Sequence, residues 1–174
     1  VLLGILPFFH SFGYTGNLWL ALALDPKLVL HVNPLDARLI GKLIHDHKIT
    51  ILMATPTFLR SYLKRCDEDQ LKTLNLVIVG AEKLPLDLAK SWEEKYGFLP
   101  TEGFGTTELS PVVSANIPPN RAGNTTQITQ KLGTIGRPIP GVSAKIVHAD
   151  TFEDLGHNKE GLLWIKGPNV MLGY

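Results

Sequence analysis

The chain has 174 residues, enough for a domain with its own core, and its 44% hydrophobic and 19% charged residues are ordinary globular composition. Its 17 basic and 16 acidic side chains leave a formal net charge of +1, and no dense Lys/Arg block occurs, which argues against nucleic acid as a partner. One cysteine, Cys66, excludes an internal disulfide and fits a reducing compartment; in the polar run Lys64-Arg65-Cys66-Asp67-Glu68 it reads as an incidental thiol near a helix end.

Residues 1–24 carry no charged side chain, a length that raises the question of a membrane span. Pro7, His10, Ser11, Asn17 and the glycines at 4, 13 and 16 interrupt the run, and no basic leader precedes it. The expectation is a buried strand followed by a buried helix. The chain starts inside one apolar run and stops just after another, so it reads as a piece of something longer.

From Lys27 to Gly105 short apolar runs alternate with amphipathic stretches, the pattern of successive βαβ units. Residues 28–30 read as a strand. Residues 36–47 place Ile40, Leu43, Ile44 and His47 on one helical face, and residues 49–53 form the next strand. Thr55-Pro56 opens a helix as N-cap and first helical residue, with Phe58, Leu59, Tyr62 and Leu63 as its buried stripe. Residues 76–79 give a third strand that leads into Gly80-Ala81-Glu82-Lys83-Leu84-Pro85. Leu88, Ala89, Trp92 and Tyr96 then mark a helix that Gly97 can end. A last extended segment runs into Gly103. The fold class expected is α/β, a mostly parallel doubly wound sheet with helices on its faces, followed by a small β-rich subdomain. The three tryptophans, Trp19, Trp92 and Trp164, read as core.

Open sheets of this kind bind ligands beyond the carboxyl ends of their strands. Three loops fall there: Ala54-Thr55-Pro56, Gly80-Ala81-Glu82, and Gly103-Phe104-Gly105-Thr106-Thr107-Glu108. The last joins glycines that let backbone approach a flat ligand, a ring able to stack on a base, hydroxyls for phosphate oxygens and a carboxylate for a hard cation. Taken alone it also fits a Gly-rich turn with a threonine capping a short helix. Its position at a strand end, beside two companion loops, favours a nucleotide site. Residues 113–133 are polar and rich in Asn, Pro, Thr and Gly, and read as a long mobile loop. Beyond them, turns at Gly136-Arg137-Pro138, Pro140-Gly141, Gly156-His157-Asn158 and Gly167-Pro168 separate short β runs at 143–147 and 161–165. The expected organisation is residues 1–112 as the α/β nucleotide- and acyl-binding part, 113–133 as loop, and 134–174 as a second sheet or partial barrel.

Phe104-Gly105-Thr106-Thr107-Glu108 resembles the aromatic-Gly-x-Thr-Glu signature of the adenylate-forming enzymes, which include acyl-CoA synthetases, luciferases and adenylation domains. Four more stretches agree in order. Leu6-Pro7-Phe8-Phe9-His10-Ser11-Phe12-Gly13 resembles the segment bordering the acyl pocket, and Gly80-Ala81-Glu82-Lys83-Leu84-Pro85 the adenine-side loop. Gly133-Thr134-Ile135-Gly136-Arg137-Pro138-Ile139-Pro140-Gly141 resembles the turn into the β-subdomain, and residues 161–174 resemble the family's stretch ending Gly-Pro-Asn-Val-Met-Leu-Gly-Tyr. The wording is most similar to bacterial acyl-[acyl-carrier-protein] synthetase domains.

The resemblance implies a ligase that joins a carboxylic acid to AMP from ATP, releasing pyrophosphate, and then passes the acyl group to a thiol of coenzyme A or acyl carrier protein. A medium- or long-chain fatty acid is favoured, in the cytoplasm or at the cytoplasmic face of a membrane. It implies that Phe104 stacks on adenine with the backbone of Gly80, Ala81 and Glu82 opposite, that Gly103, Gly105 and Thr106 complete the nucleotide contact, that Thr107 bonds the α-phosphate and Glu108 holds Mg2+. Phe9 and His10 would border the acyl substrate. Tyrosine is commoner than phenylalanine at the position of Phe104; phenylalanine keeps the stacking face and lacks the hydroxyl. The family's phosphate loop and its catalytic lysine have no counterpart between Val1 and Tyr174, so this stretch by itself is expected to be inactive. A nucleotide-binding or interaction module without chemistry is the alternative.

Overall fold

A computed structural model describes residues 1–174. A seven-stranded sheet, in the order β2-β1-β3-β4-β5-β6-β7, carries the molecule, and a separate two-stranded hairpin, β8-β9, follows it. The strands are β1 (Leu2–Gly4), β2 (Leu28–Leu30), β3 (Ile51–Ala54), β4 (Leu76–Val79), β5 (Thr101–Gly105), β6 (Val112–Ala115), β7 (Arg137–Pro138), β8 (Ser143–Val147) and β9 (Leu162–Lys166). β1 to β5 pair in parallel, and β6 and β7 join antiparallel. The α/β class and the mostly parallel sheet expected from the alternating pattern are present.

The helices follow their end signals. α1 (Ser11–Gly13), a π-helical stretch (Tyr14–Trp19) and α2 (Leu20–Leu24) form one continuous helical rod. α3 (Ala37–His47) is capped by Asp36, whose carboxylate accepts the Leu39 N–H at 3.2 Å. α4 (Pro56–Arg65) starts at the Thr55 cap with proline first, as its sequence dictates. Its C-terminal carbonyls are held by Lys95, whose ammonium donates to Leu63 O at 2.9 Å and Cys66 O at 2.6 Å, a cation at the negative end of the helix. A short α5 (Glu68–Leu71) precedes β4, and α6 (Leu86–Tyr96) ends at Gly97, which takes φ +81°.

Alternation along the strands sorts two unequal layers. Leu3, Leu52, Ala54, Val77 and Val79 point into a cluster of 19 buried residues with Ile40 and Ile44 of α3, Leu59 and Tyr62 of α4, and Leu88, Ala89 and Trp92 of α6. Leu2 and Met53 point the other way, into a cluster of 3 with Leu6, against Phe12 and Leu20. Helices therefore cover one face fully and the other only through the rod at 11–24.

Several expectations change here. The helix after β1 is not buried: only Gly13, Gly16 and Asn17 are, while Trp19, Leu22 and Leu24 face solvent, and no helix is long and apolar enough to cross a membrane. Of the three tryptophans Trp92 alone is core, because Trp19 and Trp164 lie on the thinly covered face and the hairpin. His47 is exposed at the end of α3. Residues 113–133 begin as strand β6 rather than loop, because Val113 and Ser114 are buried as that strand pairs with β5. β7 also returns to the main sheet, so the β-rich tail contributes one strand to it and forms only a hairpin of its own.

Cys66 is buried at 1% exposure despite its charged neighbours, and its thiol donates to Ala37 O at 3.1 Å. Burial pushes that thiol up to about 11, against a smaller opposing pull from Lys95, and burial likewise raises Tyr62 and Tyr96. In each case the neutral form is favoured in the folded chain, so its stabilising contribution is whole below the unfolded pKa and is lost as pH rises through the folded value. The urea midpoint is expected to hold level up to about pH 8.5, the ordinary thiol range, and then to fall toward pH 11. Cys66→Ala should flatten the first part of that fall. An identical alkaline slope in the variant would refute the assignment to Cys66.

Candidate functional site

The parallel strands end together, and the chain leaves β4 and β5 through the loops 80–85 and 106–111. A cavity of about 290 Å3 lies between those loops and the start of the 11–24 rod. His10, Ser11 and Phe12 form one wall, Gly80 and Ala81 another, and the stretch from Gly103 to Glu108 the third; Ile78, Val79, Pro111 and Val112 make an apolar floor. A second cavity of about 300 Å3 lies on the other side of the β5 end, between Ala81, Glu82, Lys83 and Gly133, Ile135. Ala81, Gly103, Phe104 and Gly105 border both. Phe104 thus stands on the partition, where a ring can be reached from either side.

The partition is held by backbone. Gly105 sits at a register shift between β5 and β6, and a Cβ there would lie 1.8 Å from Pro111 O. Only glycine lets the two segments approach so closely. Ala81 takes φ +66°, a left-handed conformation that costs an L-residue roughly 1–2 kcal/mol and marks a loop fixed by its surroundings. The Phe12 ring lies 3.3 Å from where a Gly80 Cβ would be, which ties the β4 loop to the N-terminal rod. Thr107 Oγ1 donates to Ser11 Oγ at 3.3 Å, joining the rod to the β5 loop across 96 residues of sequence.

Glu108 is the single carboxylate on the first cavity. The Tyr174 hydroxyl donates to its Oε1 at 2.5 Å. That bond, its own backbone N–H and the Thr106 hydroxyl hold the Glu108 carboxyl below the usual range, and the same bond raises the Tyr174 phenol. Glu108 is therefore ionised at neutral pH. No three His, Cys, Asp or Glu side chains group to hold an ion, so the chain offers no dedicated metal cage. One carboxylate flanked by hydroxyls does fit Mg2+ arriving with phosphate oxygens and water, the manner in which that ion is usually bound.

Of the residues singled out in the sequence, His10, Gly80, Ala81, Gly103, Phe104, Gly105, Thr106, Thr107 and Glu108 converge on the first cavity. Phe9 does not: it is 93% exposed and lines neither cavity. Glu82 lines only the second, its carboxylate accepting the Thr57 hydroxyl at 2.8 Å. His10 combines two roles, since it borders the cavity while its Nδ1 accepts the Phe12 N–H at 3.1 Å as the cap of the rod. That bond leaves Nε2 as the N–H nitrogen of the neutral ring. Sequence reasoning passed over Glu102, whose side chain is buried on the second cavity and accepts the Leu84 N–H at 3.0 Å. A charge inside a strand, two residues before Phe104, was the available signal.

A sequence profile of the family described as AMP-binding enzyme matches residues 1–174, the whole chain. The chain belongs to the AMP-binding enzyme family. Within this adenylate-forming family the chain is 31% identical over 171 residues to a long-chain-fatty-acid–CoA ligase of Yersinia pestis, covering 97% of this chain and 29% of the relative. It is 31% identical over 176 residues to a probable 4-coumarate–CoA ligase 3 of Dictyostelium discoideum, covering 99% of this chain and 30% of that one. Among solved AMP-binding relatives, ATP-bound MatB from Rhodopseudomonas palustris superposes with TM-score 0.84 at 27% identity, covering 99% of this chain and 32% of that one. The o-succinylbenzoate–CoA synthetase of Bacillus subtilis, in complex with ATP and magnesium, gives 0.80 at 27%, covering 99% and 34%. The chain therefore spans about 30% of the length of the curated AMP-binding relatives it matches.

Proposed function

We propose that the protein carrying this chain is an AMP-forming acid–thiol ligase and that the two cavities at the β4 and β5 ends are its nucleotide and acyl site. The observation that carries the reading is the convergence of the two loops and the N-terminal rod around Phe104, with ionised Glu108 beside the threonine hydroxyls. Adenine is assigned to the face of Phe104, with the Gly80-Ala81 backbone opposite and Gly103 and Gly105 keeping that backbone clear. Stacking of a base on such a ring is worth about 1–3 kcal/mol. Thr106 and Thr107 donate to phosphate oxygens, and His10, through Nε2–H, orients the acid's carboxylate.

The first step is attack of that carboxylate oxygen on the α-phosphorus of ATP, with the bond to the bridging oxygen breaking and pyrophosphate leaving. Two anions meet, so donors fixed in advance around the α-phosphate lower the barrier. Mg2+, which Glu108 would hold, supplies charge neutralisation on the phosphate oxygens. In the second step a thiol sulfur attacks the acyl carbon and AMP leaves. The names of the relatives favour coenzyme A as the thiol over acyl carrier protein, and the apolar floor together with the fatty-acid ligases among them favours a fatty acid.

Glu108→Gln removes the charge and keeps the shape. Carboxylate-dependent exchange of pyrophosphate into ATP by the whole protein is expected to fall about 100-fold or more, the scale seen when one fixed electrostatic partner of a transition state is removed. Unchanged exchange with unchanged Mg2+ dependence would refute the role of Glu108. Saturable AMP binding without any acyl-adenylate in the unaltered protein would instead establish a binding module.

A further inference from the structure

The loop that presents Thr107 and Glu108 has little structure of its own. A 3-10 turn (Thr107–Leu109) runs into Ser110, at φ +54°, and the chain re-enters the sheet at β6. Within the loop only two backbone bonds hold it, Leu109 N–H to Thr106 O at 3.1 Å and Ser110 N–H to Thr107 O at 3.3 Å. The carbonyls of Glu108 and Leu109 are taken by the segment that follows β9. Asn169 Nδ2 donates to Leu109 O at 2.8 Å and to Val112 O at 3.0 Å, bridging the end of the turn to the start of β6. Met171 N–H donates to Glu108 O at 2.9 Å. Tyr174 then reaches the Glu108 carboxylate itself at 2.5 Å. Backbone and side chain of one acidic residue are thus both held by two residues, Met171 and Tyr174, some sixty positions further on.

We infer that residues 169–174 are a strap that aims the Glu108 carboxylate, with Asn169 and Tyr174 as positioning residues of the nucleotide site. A glutamate on an exposed turn samples many rotamers. Tyr174 occupies Oε1, so Oε2 would be the oxygen offered to a cation, while Asn169 fixes the end of the turn from which the side chain springs. Partners that orient a metal-binding carboxylate commonly govern affinity by about 10- to 100-fold, and a single hydroxyl donor puts Tyr174 at the lower end. The inference rests on the assignment of Glu108 to the metal.

The test is Mn2+ binding to the whole protein in the presence of AMP, read by electron paramagnetic resonance, together with backbone hydrogen exchange over residues 106–112 and the melting temperature. Tyr174→Phe is expected to weaken Mn2+ binding about tenfold with the melting temperature unchanged, since the substitution keeps the ring and removes only the hydroxyl. Asn169→Ala is expected to speed exchange in 106–112, and Asn169→Gln to do so less. Should Tyr174→Phe bind Mn2+ like the unaltered protein while Glu108→Gln binds it weakly, the strap is refuted and the metal assignment stands. Should Glu108→Gln bind Mn2+ normally, the metal assignment fails first, and the strap's aiming role with it.

Discussion

Gly105→Ala is expected to lower acyl-adenylate formation about 100-fold, the scale reached when reacting groups are displaced by about an ångström. The reason is purely geometric. The new methyl would meet Pro111 O at 1.8 Å and Pro111 C at 2.7 Å, and both are backbone atoms that no rotamer change can move aside. β5 and β6 must part at the register shift, and the turn carrying Thr107 and Glu108 must shift with them. Phe104, on the β5 side, moves relative to the residues it faces across both cavities. The rate of pyrophosphate exchange, with AMP affinity from calorimetry, measures the effect. A variant within twofold of the unaltered protein in both would show that the close approach at residue 105 is not needed for the site.

Trp92→Ala should cost about 3–5 kcal/mol of stability, the range for emptying a large aromatic site. Trp92 is fully buried in the larger cluster and packs on Tyr96 with ring centres 4.5 Å apart and on Phe98 at 6.4 Å. It joins α6 to the sheet, and α6 in turn supplies the lysine that caps α4. Since a domain's whole stability is about 5–15 kcal/mol, the variant stands near its threshold. Trp92 Nε1 has no hydrogen-bond partner, so Trp92→Phe loses volume but also removes a buried donor that is already unpaired. Urea unfolding should place Trp92→Phe much closer to the unaltered protein than to Trp92→Ala. Equal losses for the two variants would contradict this account of the site.

The helices were legible where their ends carry local chemistry. Thr55-Pro56 and Gly97 set their boundaries through their own backbone preferences, and the structure has those boundaries. The strand expected at 49–53 begins instead at Ile51, because Lys48 turns left-handed at φ +52° and Ile49 bonds back to Ile44 of α3. Ile49 is fully buried all the same. An apolar run reports burial, and burial does not say which way the backbone runs. The same limit hid the fates of Trp19 and Trp164, whose apolar bodies are left partly uncovered by a thin layer and a lone hairpin. Cys66 read as an incidental thiol near a helix end; it does stand at the end of α4, but its charged neighbours gave no sign that its own side chain turns inward.

For the site, residue types and order pointed to loops that the structure brings to one cavity, because the ends of parallel strands are forced together by the sheet. What sequence could not reveal were contacts made across the chain. The role of Ser11 depends on a partner 96 residues away, the grip of Asn169 on carbonyls 60 and 57 residues away, and the pairing of Tyr174 with Glu108 on one 66 residues away. None leaves a local pattern. Phe9 shows the converse: it sits beside cavity residues in sequence, yet it is exposed and lines neither cavity.

The bond between Thr107 and Ser11 has a consequence for how the molecule assembles. The hairpin of β5 and β6 closes over a short loop and can form early, whereas the opposite wall reaches it only after every crossover from β1 to β5 is in place, at a larger loop-closure cost. The cavity therefore depends on segments far apart in the chain and has no counterpart in either wall alone. A ligand that needs both walls recognises only the finished sheet, and its binding energy is added to the stability of the whole sheet.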